Sequence, residues 1–446
     1  MPPKRQIHAR GARWAANLMS LLAVASVPAP GLSTVPPAEI APAVITVWSH
    51  ENVDSSEFLA LAAAVNTFNR KQHVYRVELV SAVYREYDRW IRSAALNGTL
   101  PCVLNFDGPW LYEFVWSGYL QPLDRFASPE LLRDMLPSVV AQGSYHGRLY
   151  SLSQYESALA LWGNRRYLAQ AGLRIPTLAS PWTLQEFEDA LEKLHALPEI
   201  EYAIDFNAQS PNRTGRSTEI YTYEYAPILQ GFGGDLAGRE GSGPASSTLA
   251  GMRSIVAMKH LQQWFQRGWS EAGPLSANAL PEGRAALSWY GNWGYPNYHR
   301  ALGKDLILMP LPDFGHGVKT GMGGFTWGIS STCPNPRGAW EFLRFLLSPE
   351  AILTMSNATG LMPARRSALE RSKLYGVNGP LRMLVRQLDG GFAVSRPATP
   401  AYGTITAAFA AAAVQIIGGE DVGSELHKAA DRIDREVAQR HGYPHQ

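Results

Sequence analysis

The sequence contains little cysteine and little charge, and it lacks the signatures of the common catalytic sites. Its 446 residues include only two cysteines, Cys102 and Cys333, so a zinc site built from cysteine pairs is excluded. It contains no phosphate-binding P-loop, no G-x-S-x-G nucleophile elbow and no H-E-x-x-H zinc motif. Charged residues make up 17% of the chain and apolar residues 46%, which is the composition of an ordinary soluble globular protein.

Apolar runs long enough to cross a membrane are also missing. The clearest candidate, AANLMSLLAVA, has eleven residues, whereas a membrane-spanning helix needs about 20. It follows a basic segment and ends in an A-x-A arrangement, so we predict a signal peptide over 1–25 and a flexible proline-rich leader over 26–42. No cysteine lies beside it for lipid attachment, which favours a soluble periplasmic protein over a lipoprotein.

The charge balance argues against nucleic acid as a partner. The chain has 40 basic and 38 acidic residues, but four of the basic residues belong to the predicted signal peptide. The mature chain would carry 36 basic residues, giving a net charge near −2, and the electrostatic basis for nucleic-acid binding is lost. The four residues are Lys4, Arg5, Arg10 and Arg13.

Hydrophobic patterns in the first part of the mature chain alternate between strand and helix. AVITVWSH is typical of a strand, EFLALAAAVNTFNRK of a helix and YRVELVSAVY of a second strand. YDRWIRSAALNG is then typical of a helix and PCVLNFDG of a strand. This order predicts βαβ units, a parallel sheet and an α/β fold. Since one hydrophobic core does not grow to this length, we expect two or more lobes.

Nine phrases, in this order, carry a family resemblance. They are ITVWS, FNRK, DGPWLYEFVWSGYLQPLD, HGRLYSLSQYESALALWGN, PWTLQEFEDAL, GRAALSWYGNWG, GGFTWGISSTCPNPRGAWEFLRFLLSPE, TGLMPARRSAL and RPATPAYGTI. Together they resemble the extracellular solute-binding proteins of ABC importers, in the carbohydrate-binding group that includes maltose-, trehalose- and glycerol-3-phosphate-binding proteins. The resemblance runs from about residue 45 to the C-terminal helix.

The resemblance implies a two-lobed α/β fold that closes around a ligand like a hinged clamp. The family's chain crosses between the lobes three times, and we place the crossings near 153–157, 322–327 and 359–366. The first lobe would then comprise 43–153 and 328–360, and the second 154–322 and 368–446. Both cysteines fall in the first lobe on this division, which makes a disulfide possible.

The segment SWYGNWGYPNY, residues 288–298, is the strongest candidate for a sugar-binding wall. A sugar offers apolar C–H faces that aromatic rings can cover, and hydroxyls around its rim that amides and carboxylates can bind. We expect Trp293 to stack on a sugar and Asn292 to bind a hydroxyl. Trp289 is either a second ligand contact or lobe packing, and Tyr295 and Tyr298 are predicted to pack.

Acidic residues at strand ends are the second candidate group. In open parallel sheets, ligands bind beyond the carboxyl ends of the strands, where the sequence places Asp107, Glu51 and His50. The family position that matches Asp107 carries a ligand-binding acid. The alternatives are a helix N-terminal partner for Asp107, and a capping or surface position for His50.

Further candidates come mostly from the resemblance, and for the two glycines the alternative is a hinge position without ligand contact. Glycines at the second crossing would let the backbone approach a ligand, and an arginine near the C-terminus would grip a phosphate or a pair of hydroxyls. The Glu-Ser pair in the first crossing departs from the family's more common aspartate. These candidates are Tyr84, Glu156, Ser157, Glu224, Gly323, Gly324, Phe325 and Arg396.

The sequence therefore predicts the substrate-binding component of an ABC importer, with a di- or oligosaccharide as ligand. We expect ABC permease subunits as partners, a monomer, and no cofactor, metal or catalytic residue. A glycerol phosphate or glycerophosphodiester is the alternative ligand. The alternative classes are a sugar hydrolase that uses Glu51 and Asp107 as a carboxylate pair, and a binding subunit that serves a receptor.

Overall fold

The structure is a computed structural model that describes residues 41–81, 87–208, 219–238, 245–271 and 278–444. The predicted signal peptide, nearly all of the predicted leader and the predicted site residue Tyr84 lie outside these ranges. Within them, no helix combines the length and the apolar character needed to cross a membrane.

The described residues form fifteen strands and seventeen α-helices. The strands are β1 (Ala43–Ser49), β2 (Tyr75–Ser81), β3 (Val103–Asp107), β4 (Ser144–Tyr145), β5 (Arg148–Leu149), β6 (Ser151–Leu152), β7 (Tyr155–Glu156), β8 (Leu159–Asn164), β9 (Tyr202–Asp205), β10 (Ala285–Gly291), β11 (Leu306–Met309), β12 (Thr320–Gly321), β13 (Phe325–Ile329), β14 (Met362–Pro363) and β15 (Ala393–Val394). The helices are α1 (Ser56–Lys71), α2 (Tyr87–Leu96), α3 (Leu111–Trp116), α4 (Pro129–Asp134), α5 (Pro137–Gln142), α6 (Arg165–Gln170), α7 (Leu184–His195), α8 (Glu219–Gly231), α9 (Ala245–Thr248), α10 (Met252–Gln266), α11 (Tyr295–Leu302), α12 (Pro336–Leu346), α13 (Pro349–Thr359), α14 (Arg366–Arg371), α15 (Arg382–Asp389), α16 (Tyr402–Ile417) and α17 (Val422–Gln439).

The first sheet has five strands in the order β2-β1-β3-β13-β6. Strand β1 runs parallel to β2 and β3, while β13 runs antiparallel to β3. The predicted βαβ units are therefore present. The carboxyl ends of β1 and β3 lie at the same edge, and β13 begins there, with Phe325 paired to Asp107. This edge is where open α/β sheets bind their ligands.

The second sheet has four strands in the order β11-β8-β10-β9. It is mixed, since β10 is antiparallel to β8 and parallel to β9. All six residues of β8 are buried, because helices cover this sheet, and a strand buried on both faces has no polar alternation. The helices α7, α8, α10, α16 and α17 contribute to the same core. Ala160 and Trp162 of β8 belong instead to the buried cluster that contains β1 and β3, so the two sheets of this α/β fold are in contact through that cluster.

A disulfide joins Cys102, which precedes β3, to Cys333, which precedes α12, with 4.4 Å between their Cα atoms. The possibility that the sequence left open is thus realised in the structure. The bond ties two segments that lie 231 residues apart.

The boundaries of the lobes stay a prediction. Tyr375 and Leu384, assigned to the second lobe from the sequence, belong to the buried cluster that contains β1 and β3.

Candidate functional site

A cavity of about 640 Å³ lies at the ligand-binding edge of the first sheet. Its walls also come from α8, from the turn after β10 and from the segment that precedes α16. Residues from distant parts of the chain therefore meet in one concave space. Its volume is within the range of about 300–1,000 Å³ that is usual for small-molecule sites.

Nine of the fourteen predicted site residues line this cavity. They are His50, Glu51, Asp107, Ser157, Trp293, Gly323, Gly324, Phe325 and Arg396. Four others lie outside its wall, and Tyr84 lies outside the described residues.

The β1 end of the cavity is formed by His50, which is buried and stacks on Phe325 with 3.3 Å between ring centroids. Its Nδ1 atom hydrogen-bonds the Oδ1 atom of Asn105. The Asn105 amide nitrogen donates to the Thr326 carbonyl, so its oxygen faces the imidazole and Nδ1 is the donor. The His50 Nε2 atom then faces the Glu51 carboxylate at 3.0 Å.

Two carboxyl groups share this end of the cavity. Burial opposes ionisation of Glu51, but the hydrogen bond and charge of His50 outweigh it and lower its pKa. Glu57, in the first turn of α1, accepts a hydrogen bond from the Tyr155 hydroxyl at 2.8 Å. Burial, aided by the Glu51 charge, raises the pKa of Glu57 to about 7. For His50 itself, burial opposes protonation, but the neighbouring glutamates outweigh it and raise its pKa.

The same three side chains are the candidate metal donors among the described residues. His50, Glu51 and Glu57 each offer one ligand atom, and these atoms lie within 4.8 Å of one another. An imidazole with two carboxylates is a donor set that suits a divalent transition metal.

At the β3 end, Arg396 binds two carboxylates. Its guanidinium donates to both oxygens of Asp107, at 2.7 and 2.8 Å, and to Glu219 at 2.5 Å. Glu219 also accepts hydrogen bonds from the Tyr402 and Thr406 hydroxyls. Burial, together with the Asp107 charge, raises the pKa of Glu219 to about 7 despite the proximity of Arg396. Arg396 thus binds Asp107 through both carboxylate oxygens, and the grip on a ligand expected from the sequence stays a prediction.

Three aromatic rings, those of Trp293, Tyr223 and Tyr290, line the same cavity. Trp293 is half-buried and lies against Tyr223 and Tyr290, with ring centroids 5.7 and 5.1 Å away. Its ring folds back over Gly291, where a Cβ atom would lie 2.0 Å from the Trp293 Cζ3 atom. The predicted stacking residue therefore has an exposed ring surface in the cavity, and glycine at 291 leaves room for it.

The second crossing contributes backbone to the cavity, but much of its hydrogen bonding is internal. Gly323 has a φ of +99°, which only glycine adopts readily. Its N–H donates to Glu156 at 2.6 Å, and its carbonyl accepts from the Ser157 hydroxyl. The Gly323 N–H therefore binds within the protein. Ser157 also accepts a hydrogen bond from the Tyr223 hydroxyl at 3.1 Å.

Trp289 and Asn292 do not line the cavity. Trp289 is buried in the second-sheet core against Phe206 and Phe314, and its Nε1 atom donates to the Glu224 carbonyl. Asn292 is fully buried and connects three segments through hydrogen bonds to Ala158, Glu156 and the Tyr375 hydroxyl. Trp289 thus occupies the packing position that the sequence left open, whereas Asn292, expected to bind a sugar hydroxyl, hydrogen-bonds within the protein.

Glu156 and Glu224 are also removed from the cavity wall. Glu156 accepts the Ser157 and Gly323 N–H groups and so shapes the crossing from behind. Glu224 is buried on α8 and accepts a hydrogen bond from Asn207 at 3.1 Å. Neither carboxylate reaches the cavity from this position, because each points into the protein interior.

Sequence reasoning missed eleven residues of the wall. They are Asn52, Ser55, Ser56, Glu57, Tyr155, Glu219, Ile220, Tyr223, Tyr290, Thr359 and Leu361. A signal existed for some of them, since Glu219 and Tyr223 are four residues apart and share one face of a helix. The others depend on how α1 and the loops pack, which no local pattern indicates.

A family profile described as bacterial extracellular solute-binding protein matches residues 63–375, so the chain belongs to this family. The chain is similar to a maltotriose-binding protein of Pyrococcus abyssi, with 22% identity over 307 residues that cover 66% of this chain and 61% of the relative. It is also similar to a maltodextrin-binding protein of Bacillus subtilis, with 24% identity over 52% of this chain and 54% of the relative. The matches therefore span less than two thirds of these relatives.

Solved structures of similar fold support the two-lobed architecture. The cyclic α-maltosyl-1,6-maltose binding protein of Arthrobacter globiformis aligns with a TM-score of 0.73 and 21% identity, covering 90% of this chain and 100% of that chain. The Thermus thermophilus maltotriose binding protein bound with maltotriose aligns with a TM-score of 0.71 and 18% identity, covering 88% and 100%. At this identity the likeness establishes the fold.

Proposed function

We propose that this protein is the substrate-binding component of an ABC importer and that its cavity captures a sugar of two or a few units. The observation that carries the proposal is that the Trp293 ring and four carboxyl groups line one cavity. Such a combination matches the apolar faces and polar rim of a sugar. Relatives named for maltotriose and maltodextrin binding support the same ligand class.

Capture would proceed by closure of the two lobes. The cavity wall combines residues from the first sheet with residues from α8 and the turn after β10, so a bound sugar would contact both lobes. Contacts made only in the closed state stabilise that state. We propose that the closed form then delivers the sugar to the permease, after export to the cell exterior or periplasm, and that the protein acts as a monomer without catalysis.

The cavity does not favour a phosphorylated ligand. Arg396 is the residue expected to bind phosphate. Its guanidinium already donates hydrogen bonds to Asp107 and Glu219. Two further carboxyl groups, Glu51 and Glu57, line the same space. A phosphate dianion would therefore enter among like charges, which is unfavourable.

The test is a thermal-shift and calorimetric screen over neutral and amino sugars, glycerol 3-phosphate and glycerophosphodiesters. Ligands that bind only the native state raise its stability, so a sugar should give the largest shift.

Trp293→Ala should weaken binding of the best sugar by about tenfold or more, since about 1.4 kcal/mol is a factor of ten and buried ring contacts contribute at least that much. Trp90→Ala, at an exposed position outside the cavity wall, is the matched control. Unchanged binding by the Trp293 variant would contradict the proposal.

A hydrolase assay tests the absence of catalysis. We expect no turnover of nitrophenyl glycosides, because Asp107 is held by Arg396 through both oxygens and is not free to act as an acid or a nucleophile. Saturable hydrolysis that disappears in Asp107→Ala would contradict this part of the proposal.

A further inference from the structure

The charges around the cavity do not balance. Four carboxyl groups line it, while the cationic side chains of the wall are one arginine and one histidine. A closed cavity with surplus carboxylates is unfavourable unless a proton or a bound cation compensates them. The four carboxyl groups are those of Glu51, Glu57, Asp107 and Glu219.

The surplus differs between the two ends of the cavity. At the β3 end, both oxygens of Asp107 accept hydrogen bonds from Arg396, and both oxygens of Glu219 accept from Arg396, Tyr402 or Thr406. Protein donors therefore already occupy these carboxylates. A ligand gains little by offering another donor there.

At the β1 end, carboxylate oxygens remain available to a ligand. One oxygen of Glu57 accepts from the Tyr155 hydroxyl, and its other oxygen, Oε2, has no hydrogen-bond partner among the described residues. The Oε2 atom is not among the buried polar atoms that lack a partner. Glu57 lines the cavity. Glu51 presents its carboxylate beside it, where His50 and the Ser55 side chain already contact that carboxylate. Two carboxylates thus meet one cationic group at this end.

The spacing of these acceptors suits one ammonium group. One carboxylate oxygen of Glu51 and one of Glu57 lie within 4.8 Å of each other. An ammonium donates up to three hydrogen bonds of about 2.9 Å, so two of its acceptors lie at most roughly 6 Å apart. Trp293 and Tyr290 line the same cavity as this cluster. These rings indicate a ligand whose ring lies next to the ammonium group.

We propose that the cavity selects a sugar that carries a protonated amine, and that the carboxylates of Glu51 and Glu57 hold its ammonium group. The inference rests on the sugar-binding function proposed above. The amine supplies the positive charge that this end of the cavity lacks. The sugar ring extends from it toward Trp293 and Tyr290. A neutral sugar would satisfy the hydrogen bonds but would leave the surplus charge in place.

The experiment compares sugars that differ only by one or two amines in place of hydroxyls, with calorimetry on the purified full chain. The pairs are glucosamine with glucose, chitosan disaccharide with cellobiose, and maltose with its 2-amino-2-deoxy analogue. We expect the amine member of at least one pair to bind ten times more tightly or better. In Glu57→Gln, which keeps the size of the side chain, the ratio of the two affinities should fall close to one.

Two controls keep the outcome clear. Glu130→Gln removes an exposed carboxylate outside the cavity and should leave the ratio unchanged. If Glu57→Gln does not fold, judged by its circular dichroism, Glu51→Gln tests the same pair of carboxylates.

Three results would overturn the inference. Equal or tighter binding of the neutral members would refute the amine preference while leaving the sugar-binding function intact. Binding of neither member of any pair would refute both. Stabilisation of the protein by zinc chloride or calcium chloride alone, if lost in Glu57→Gln, would assign the carboxylates to a metal ion.

Discussion

Asn292 shows at the scale of one residue how a polar side chain can be structural inside a binding region. Its amide bridges the first crossing, through Ala158 and Glu156, to the Tyr375 hydroxyl. The side chain is fully buried. Removal of one partner leaves the remaining buried groups unsatisfied, and each such group costs about 1–3 kcal/mol.

We therefore predict that Asn292→Ala lowers the free energy of unfolding by about 2–4 kcal/mol, measured by urea denaturation. Asn97→Ala removes an exposed amide that bonds only within its own turn, and should change stability by no more than about 0.5 kcal/mol. A variant at 292 with native stability and weakened sugar binding would instead support the direct contact expected from the sequence.

Glu219 and Asp205 give the stability a defined pH dependence. Burial raises the pKa of Glu219 to about 7 and that of Asp205 to about 6. Between the ordinary carboxyl pKa and these values, the folded state binds more protons than the unfolded state. The free energy of unfolding then falls as pH rises through this window.

The unliganded protein should accordingly be more stable at pH 5.5 than at pH 8, by an amount of the order of 1–3 kcal/mol. Urea denaturation across this range measures the slope. Glu219→Gln should reduce the slope, because that side chain no longer titrates, while Asp205 and Glu57 still contribute. A slope of the opposite sign, or one unaffected by the substitution, would show that Glu219 is ionised throughout.

At the scale of elements, strand ends could be predicted from the sequence, but the faces of buried elements could not. The placement of His50, Glu51 and Asp107 followed from β-branched runs that stop at polar residues, and all three line the cavity. In α8, nearly every residue is buried, so its pattern has no polar face that fixes its rotation. The sequence therefore favoured Glu224, while Glu219 and Tyr223 lie on the cavity face.

Strand β10 illustrates the same limit. Its residues are almost all buried, and covered strands do not alternate in polarity. The sequence could not tell whether Trp289 faces the ligand or the helices of the second lobe. Trp293 lies beyond the strand, in the turn Asn292–Gly294, where the ring is free of the sheet. Glycine at 291, directly before that turn, was the local sign of a close approach.

The disulfide is a further element-scale feature, since it fixes the start of β3 to the turn before α12. A cross-link that closes a loop of 231 residues restricts the unfolded chain strongly, with typical stabilisation of about 2–5 kcal/mol. We predict that Cys102→Ser with Cys333→Ser lowers the free energy of unfolding by this amount. Urea denaturation measures this free energy. In reductant, the free energy of unfolding of the native protein should approach that of the double variant. A titration that finds two free thiols in the untreated, denatured protein would show that the bond is absent.

At the scale of the whole molecule, Arg396 connects the first sheet to the helical core of the second sheet. Its partner Asp107 ends a strand of the first sheet, and its partner Glu219 begins α8, which packs in the core of the second. The three side chains are nearly buried. Removal of one partner from such a pair leaves an uncompensated charge and costs about 3–5 kcal/mol. The charge can escape this cost by reaching water, which requires the lobes to separate.

We predict that Asp107→Asn shifts the unliganded protein toward an open form, with a larger radius of gyration in small-angle X-ray scattering. The contrast with Asp134→Asn makes the measurement specific. Asp134 binds Arg365 at 2.7 Å, and the residues next to this pair, Met135 and Ala364, belong to one buried cluster, so its loss should destabilise the protein without opening it. Saturating sugar should restore the compact form of the Asp107 variant, because ligand contacts to both lobes replace part of the lost link. An unchanged radius in Asp107→Asn would mean that the ion pair contributes to packing alone and leaves closure to the ligand.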